Sequence, residues 1–195
     1  RFSGRAVPSL AALDRTGLVL HLFSFSKSLF PGARVGAITA GSRLIEALLA
    51  LKQATDLSDA LPLQAALAEF AASGAYDRHL GRLRRVLRAR CTALLDALAA
   101  EMPRGTRWTR PDGGLQLWIE LPKGVDTHDL SSDAAVAGVF FAPGSQFNHD
   151  GRASNGLRLT FAMAEPDALR AGVAALARVV AERLEGKPRM SHVHI

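Results

Sequence analysis

The clearest pattern in the chain is a change of period near its middle. Leu80, Leu83, Leu87, Leu94 and Leu98 recur at helical spacing between Tyr76 and about Met102, and Pro103 and Gly105 end the run. From Arg107 the pattern becomes two-residue: Leu115, Leu117, Ile119 and Leu121 alternate with Gln116, Trp118 and Glu120, which predicts a half-buried strand. Val139-Phe140-Phe141 and Leu157 to Phe161 predict two more strands, and Glu165-Pro166-Asp167 opens a helix with Leu169, Val173, Leu176, Val180 and Leu184 inward. Nearer the start, Leu18 to Phe23 is almost continuously apolar, the habit of a strand covered on both faces. Val35 to Thr39 predicts a second short strand. Ser42 is a candidate N-cap for a helix carrying Leu44, Leu48 and Leu51, and Ser58-Asp59 opens another through Leu63, Leu67 and Phe70, stopped at Gly74.

These elements divide the chain into an α/β portion and an α+β portion. Residues 1–54 read as the end of an α/β layer; residues 55–186 read as helices, a small sheet and a closing helix; residues 187–195 read as a disordered tail. Composition agrees with a globular protein, 48% hydrophobic and 22% charged. No apolar run approaches the ~18 to 20 residues of a membrane span, and the first residues have no signal-peptide core. The first residue is not methionine, so a piece of a longer protein is expected. Cys91, the only cysteine, excludes an intrachain disulfide framework and fits a reducing cytoplasm; within the long helix it reads as filler. The net charge of +6 allows anionic partners, but the arginines at 78, 82, 84, 85, 88 and 90 are scattered around their helix and read as solvated or packing residues. His192 and His194 lack matching ligands, so no metal site is expected.

Chemistry concentrates between Ser24 and Gly36. Ser24-Phe25-Ser26-Lys27-Ser28 followed by Pro31-Gly32-Ala33-Arg34-Val35-Gly36 places an amine, three hydroxyls and a guanidinium just after a strand, where open α/β sheets bind ligands. An amine that is partly desolvated can form a Schiff base with an aldehyde, and hydroxyls with a guanidinium suit a phosphate. An aldehyde-phosphate cofactor needs that combination.

The stretch resembles the cofactor-lysine motif of fold-type I pyridoxal-phosphate enzymes, class I/II aminotransferases, in the Pro-Gly-x-Arg-x-Gly form of the aminoadipate-type enzymes and the MocR-type regulators. The resemblance continues through Arg1-Phe2-Ser3-Gly4-Arg5, Gly74-Ala75-Tyr76 with His79-Leu80, Asp112-Gly113-Gly114-Leu115 with Trp118, Gly138 to Phe147, and Gly156 to Ala162. It implies the C-terminal part of a large cofactor-binding domain followed by a small α+β domain. It implies pyridoxal 5′-phosphate as cofactor, Lys27 as Schiff-base and proton-shuttling lysine, and Ser24, Ser26 and Arg34 on the cofactor phosphate. Arg158 is implied as the partner of the substrate α-carboxylate, on the face of its strand opposite Leu157, Leu159 and Phe161. Trp118 is read as cleft lining or packing.

The activity implied is amino-group transfer between an amino acid and a 2-oxo acid, in a cytoplasmic homodimer. One alternative is the domain of a regulator that senses an amino compound or the cofactor and meets DNA only through an upstream winged-helix domain. Arg1 to Arg5 and Asp150-Gly151-Arg152 resemble the regulators at least as much as the enzymes. The other alternative is an inactive fragment. The glycine-rich turn, ring-stacking aromatic, asparagine and aspartate that such domains carry upstream have no counterpart here. The piece alone is therefore expected to bind cofactor poorly, to transaminate negligibly, and to aggregate or pair through uncovered strand edges.

Overall fold

The periodic segments fold as their patterns direct, most faithfully where an apolar stripe repeats many times, as in the two long helices Ala75–Glu101 and Pro166–Leu184. The computed structural model describes residues 1–56 and 59–186. In chain order it contains α1 (Leu10–Leu13), β1 (His21–Ser24), β2 (Gly36–Thr39), α2 (Ser42–Thr55), α3 (Leu61–Ala72), α4 (Ala75–Glu101), β3 (Arg107–Trp108), β4 (Gln116–Glu120), α5 (Thr127–Val136), β5 (Ala142–Pro143), β6 (Gly156–Thr160) and α6 (Pro166–Leu184). Short 3-10 turns occupy Phe25–Lys27, Pro31–Ala33 and Gly144–Phe147. The expected tail, with His192 and His194, and Ser58 lie outside the described residues. No helix among the described residues is long and apolar enough to cross a membrane.

Packing separates two units, Arg5–Leu83 and Arg1–Gly4 with Arg84 onward, so α4 contributes residues to both. In the first, β1 and β2 form a two-stranded antiparallel ribbon with His21 opposite Thr39 and Ser24 opposite Gly36. The strand expected to be covered on both faces is not covered by the described residues. Leu22 is 66% exposed and Phe23 42%, because β2 is the only strand that pairs with β1 among the described residues. Before it, Asp14 organises a turn: its carboxylate accepts from the backbone N–H of Thr16 at 2.7 Å, Gly17 at 3.2 Å and Val19 at 2.8 Å, and from the Thr16 hydroxyl at 2.7 Å. These donors, led by Val19, pull the Asp14 pKa down from 3.8 to about 2.

Two caps differ from expectation. Gly41, not Ser42, is the N-cap of α2. The next helix begins at Leu61 rather than at Ser58-Asp59, because the Asp59 carboxylate is engaged by Lys52 at 2.9 Å instead of capping.

The second unit is a four-stranded antiparallel sheet, ordered β3-β4-β6-β5, with helices supplying its core. Leu117 and Ile119 of β4, Leu157 and Leu159 of β6, and Phe161 are buried together with Leu94 and Leu98 of α4, Leu130 of α5, and Leu176 and Val180 of α6. α5 was not expected from the sequence. Its signal is short: Asp126 caps it by accepting from His128 N at 2.9 Å, and only Thr127, Leu130 and Ala134 face inward. The strand expected at Val139 to Phe141 lies one step later, at Ala142–Pro143, and Phe140 is left 79% exposed. The register explains the shift, since Ala142 pairs with Arg158 and Pro143 with Leu157.

Thr127 fastens this corner. Its fully buried hydroxyl lies 2.8 Å from Ser154 O and 2.6 Å from Gly156 O, and accepts from Gly144 N at 3.2 Å. A side chain at 144 would meet Ser154 Oγ at 2.3 Å, and one at 156 would meet the Trp118 ring at 2.3 Å, so both positions require glycine.

Candidate active site

The 3-10 turn Phe25–Lys27 begins at Ser24, whose Oγ accepts from Ser26 N at 3.2 Å and lies 3.1 Å from Ser26 Oγ. Ser28 N and Leu29 N both donate to Phe25 O, at 3.2 and 2.8 Å, and close the turn. Phe25 N donates to Val35 O at 3.0 Å, which brings the Arg34 backbone alongside the serine turn. Ser24, Ser26 and Lys27 of one turn and Arg34 at the end of the next are thus brought to one end of the β1–β2 ribbon.

Arg34 is also the only non-glycine with positive φ among the described residues (φ 48°, ψ 29°). The left-handed region costs an L-residue roughly 1–2 kcal/mol. Strain of this kind tends to gather where a loop serves a ligand. Lys27 and Arg34 are exposed, and among the described residues neither has a carboxylate partner. Two hydroxyls and a guanidinium without an acidic neighbour are a donor set for a phosphate, beside an accessible amine. The desolvation expected around the amine is not supplied by the described residues, among which Lys27 lies open.

Arg158 belongs to the other unit. It lies opposite Trp118 on β4 and Ala142 on β5, on the sheet face away from buried Leu157 and Leu159. Its guanidinium carbon sits 4.7 Å from the centroid of the Phe147 ring, and Phe147 meets Trp118 edge-on at 5.6 Å. No acidic group among the described residues pairs with it. With Gln116, Phe141, Gln146 and Thr160 it lines a shallow hollow of about 350 Å³. Such a guanidinium, half-buried and lacking an anion, can receive a carboxylate in two parallel hydrogen bonds.

Phe147 was not assigned a role from sequence, because its position over Arg158 depends on the Gly144–Phe147 turn and on strand register. Nor were Tyr76 and His79 given one, although both contact the residue after Lys27 (Tyr76 Oη to Ser28 Oγ 2.9 Å; His79 Nε2 to Ser28 O 2.7 Å). The helix arginines are not uniformly solvated. Arg90 donates to Ala162 O and to Glu165, tying α4 to the start of α6. Burial raises the Cys91 pKa, in keeping with a packing role. Among the described residues no group of His, Cys, Asp and Glu could hold a metal ion.

Comparison with known proteins gives the family and the fold. The family model "Aminotransferase class I and II" matches residues 2–176. The aromatic-amino-acid aminotransferase 1 of Thermococcus litoralis is 34% identical over 95% of this chain and 44% of its own length. A probable rhizopine catabolism regulatory protein MocR of Rhizobium meliloti is 32% identical over 90% of this chain and 36% of its own. Among solved structures, LysN, an α-aminoadipate aminotransferase of Thermus thermophilus complexed with N-(5′-phosphopyridoxyl)-L-leucine, superposes with a TM-score of 0.86. It shares 36% identity, with 94% of this chain and 48% of that one covered. The chain thus spans about half the length of the relatives it matches, as a fold-type I portion from their C-terminal side, and the family depends on pyridoxal phosphate. A match over nearly the whole of its length makes this chain a member of the class I and II aminotransferase family.

Proposed function

We propose that this chain is the C-terminal portion of a cytoplasmic pyridoxal-phosphate-dependent aminotransferase that moves an amino group between an amino acid and a 2-oxo acid. The observation that carries the reading is the juxtaposition, at one end of the β1–β2 ribbon, of the turn bearing Ser24, Ser26 and Lys27 with Arg34 at the end of the next turn. In it the phosphate is held by the Arg34 guanidinium and the serine hydroxyls, Ser24 first and Ser26 beside it. Lys27 Nζ is the amine that would hold the cofactor's aldehyde and would carry the proton of the substrate α-carbon. Arg158 orients the substrate by its α-carboxylate, with Phe147 steadying the guanidinium from one side. When bound, pyridoxal 5′-phosphate supplies the electron sink that makes that proton removable.

On this reading residues 1–54 complete a larger cofactor-binding domain, residues 55–186 form the inter-domain helices and small domain, and two copies share the site. The 195 residues alone then bind cofactor poorly and turn over negligibly. A second reading has its own support, because regulators of the MocR type match over 90% of the chain. There the same turn and Arg158 sense an amino compound, and a separate upstream domain contacts DNA.

The test is to load the longest native form with pyridoxal phosphate, follow the visible band of a lysine adduct, reduce with borohydride and map the label. We expect the label on Lys27 and its loss in Lys27→Ala. A label on another lysine, or none, overturns both readings. Amino-acid-dependent 2-oxo acid exchange separates enzyme from sensor.

A further inference from the structure

Tyr76 and His79 stand three residues apart in the first turns of α4, so their side chains lie on one face of the helix. Both reach the same residue of the lysine turn. Tyr76 Oη donates to Ser28 Oγ at 2.9 Å, and Ser28 Oγ lies 3.5 Å from Phe25 O, the carbonyl that also closes the turn. His79 Nε2 lies 2.7 Å from Ser28 O. A carbonyl can only accept, so Nε2 carries the proton in that bond. Ser28 is therefore held at its hydroxyl and at its carbonyl by a helix 48 and 51 residues further along the chain.

The tyrosine ring is itself fixed. It meets Phe25 at 5.8 Å and Phe70 at 6.3 Å, both edge-on, and Phe25 meets Phe23 at 5.7 Å. Lys27 has no partner of its own among the described residues, and a side chain without partners is located only by its backbone. On one side that backbone is set by the Ser24 cap; on the other it is set at Ser28.

We propose that Tyr76 and His79 are positioning residues that clamp Ser28 and thereby fix the origin of the Lys27 side chain. The proposal rests on the cofactor reading for what the lysine does, and on the geometry alone for the clamp. Tyr76→Phe keeps the ring contacts and removes one donor. His79→Leu removes the second, and His79→Gln restores a donor to the Ser28 carbonyl.

Two measurements on the longest native form decide it. The first is amide hydrogen exchange of the peptide covering residues 25–30, without cofactor. Loss of one such bond is expected to speed exchange of the Ser28 and Leu29 amides roughly three- to tenfold in Tyr76→Phe and in His79→Leu. Exchange in His79→Gln should stay close to the unmutated protein, with the thermal midpoint retained in all three. The second is the rate of borohydride-trapped adduct at Lys27 and the pH midpoint of its visible band. The rate should fall by a similar factor, and the midpoint should move, in Tyr76→Phe and His79→Leu, with rescue by His79→Gln.

Unchanged exchange in folded variants overturns the clamp. Faster exchange with an unaltered adduct rate and midpoint overturns its service to Lys27. Absence of any Lys27 adduct in the unmutated protein overturns the cofactor reading and with it the role of the amine, while the exchange arm still decides whether the clamp exists.

Discussion

The two packing units contrast in how they treat apolar residues. In the unit from Arg84 onward, Phe161, Leu94, Leu98, Ile119, Leu130, Leu157, Leu176 and Val180 are wholly enclosed; in Arg5–Leu83, Ala33 is the only buried one among the described residues. There Leu18, Leu22, Ile38 and Leu51 stay open to solvent, and a cleft of about 620 Å³ lined by Leu22, Ile38, Ile45 and Leu48 lies between the ribbon and α2. The difference is not one of composition, since both stretches are rich in Leu and Ala. It lies in the number of layers: a four-stranded sheet with helices closes a core, whereas two strands and their helices here do not.

The strongest way to break this comparison is to cut side chains on each side of it. Phe161→Ala should cost about 3–5 kcal/mol, and Leu22→Ala should stay within about 0.5 kcal/mol, read from urea midpoints of the same chain. Equal losses would show that the first unit has a core after all. Glycine substitutions sharpen the point with a smaller effect. Gly156→Ala drives a methyl into the Trp118 ring and should cost about 1–3 kcal/mol, with an altered tryptophan spectrum. Gly81→Ala, inside α4 with open space around it, should instead stabilise by about 0.5–1 kcal/mol.

The smallest effect is electrostatic. The folded state holds the Asp14 carboxyl at about 2 against an ordinary 3.8. A depressed carboxylate stabilises the fold above its unfolded value, and that contribution fades as pH falls through the folded one. The turn from Asp14 to Val19 should thus hold at pH 5 and loosen between about pH 4 and 2, visible as a titration of the Thr16 and Val19 amides by NMR. A midpoint near 4 would mean that those amides do not grip the carboxylate.

Much of this architecture is written in periodicity. α4 and α6 are legible because long helices repeat their apolar stripe many times, and β4 and β6 because one face is fully buried. α5 escapes because a ten-residue helix with Thr127, Leu130 and Ala134 inward carries too few large apolar residues to show a period. Phe140 and Phe141 mislead for the converse reason: bulk suggests a strand, but pairing with β6 falls to Ala142 and Pro143. For the candidate site, residue type and spacing single out Ser24, Lys27 and Arg34, and the structure brings them to one end of the β1–β2 ribbon. The contacts of Phe147, Tyr76 and His79 are invisible until pairing and helix packing bring distant residues together, as the 48-residue span from Ser28 to Tyr76 shows.

The backbone at position 34 carries a consequence for evolution in the laboratory. Glycine or asparagine would rest there more comfortably than arginine. A randomised library sorted only for foldedness should drift toward those two residues. One sorted for capture of a phosphorylated aldehyde should hold the guanidinium and tolerate the discomfort. The identity recovered at this single codon would thus record which of the two demands shaped the loop.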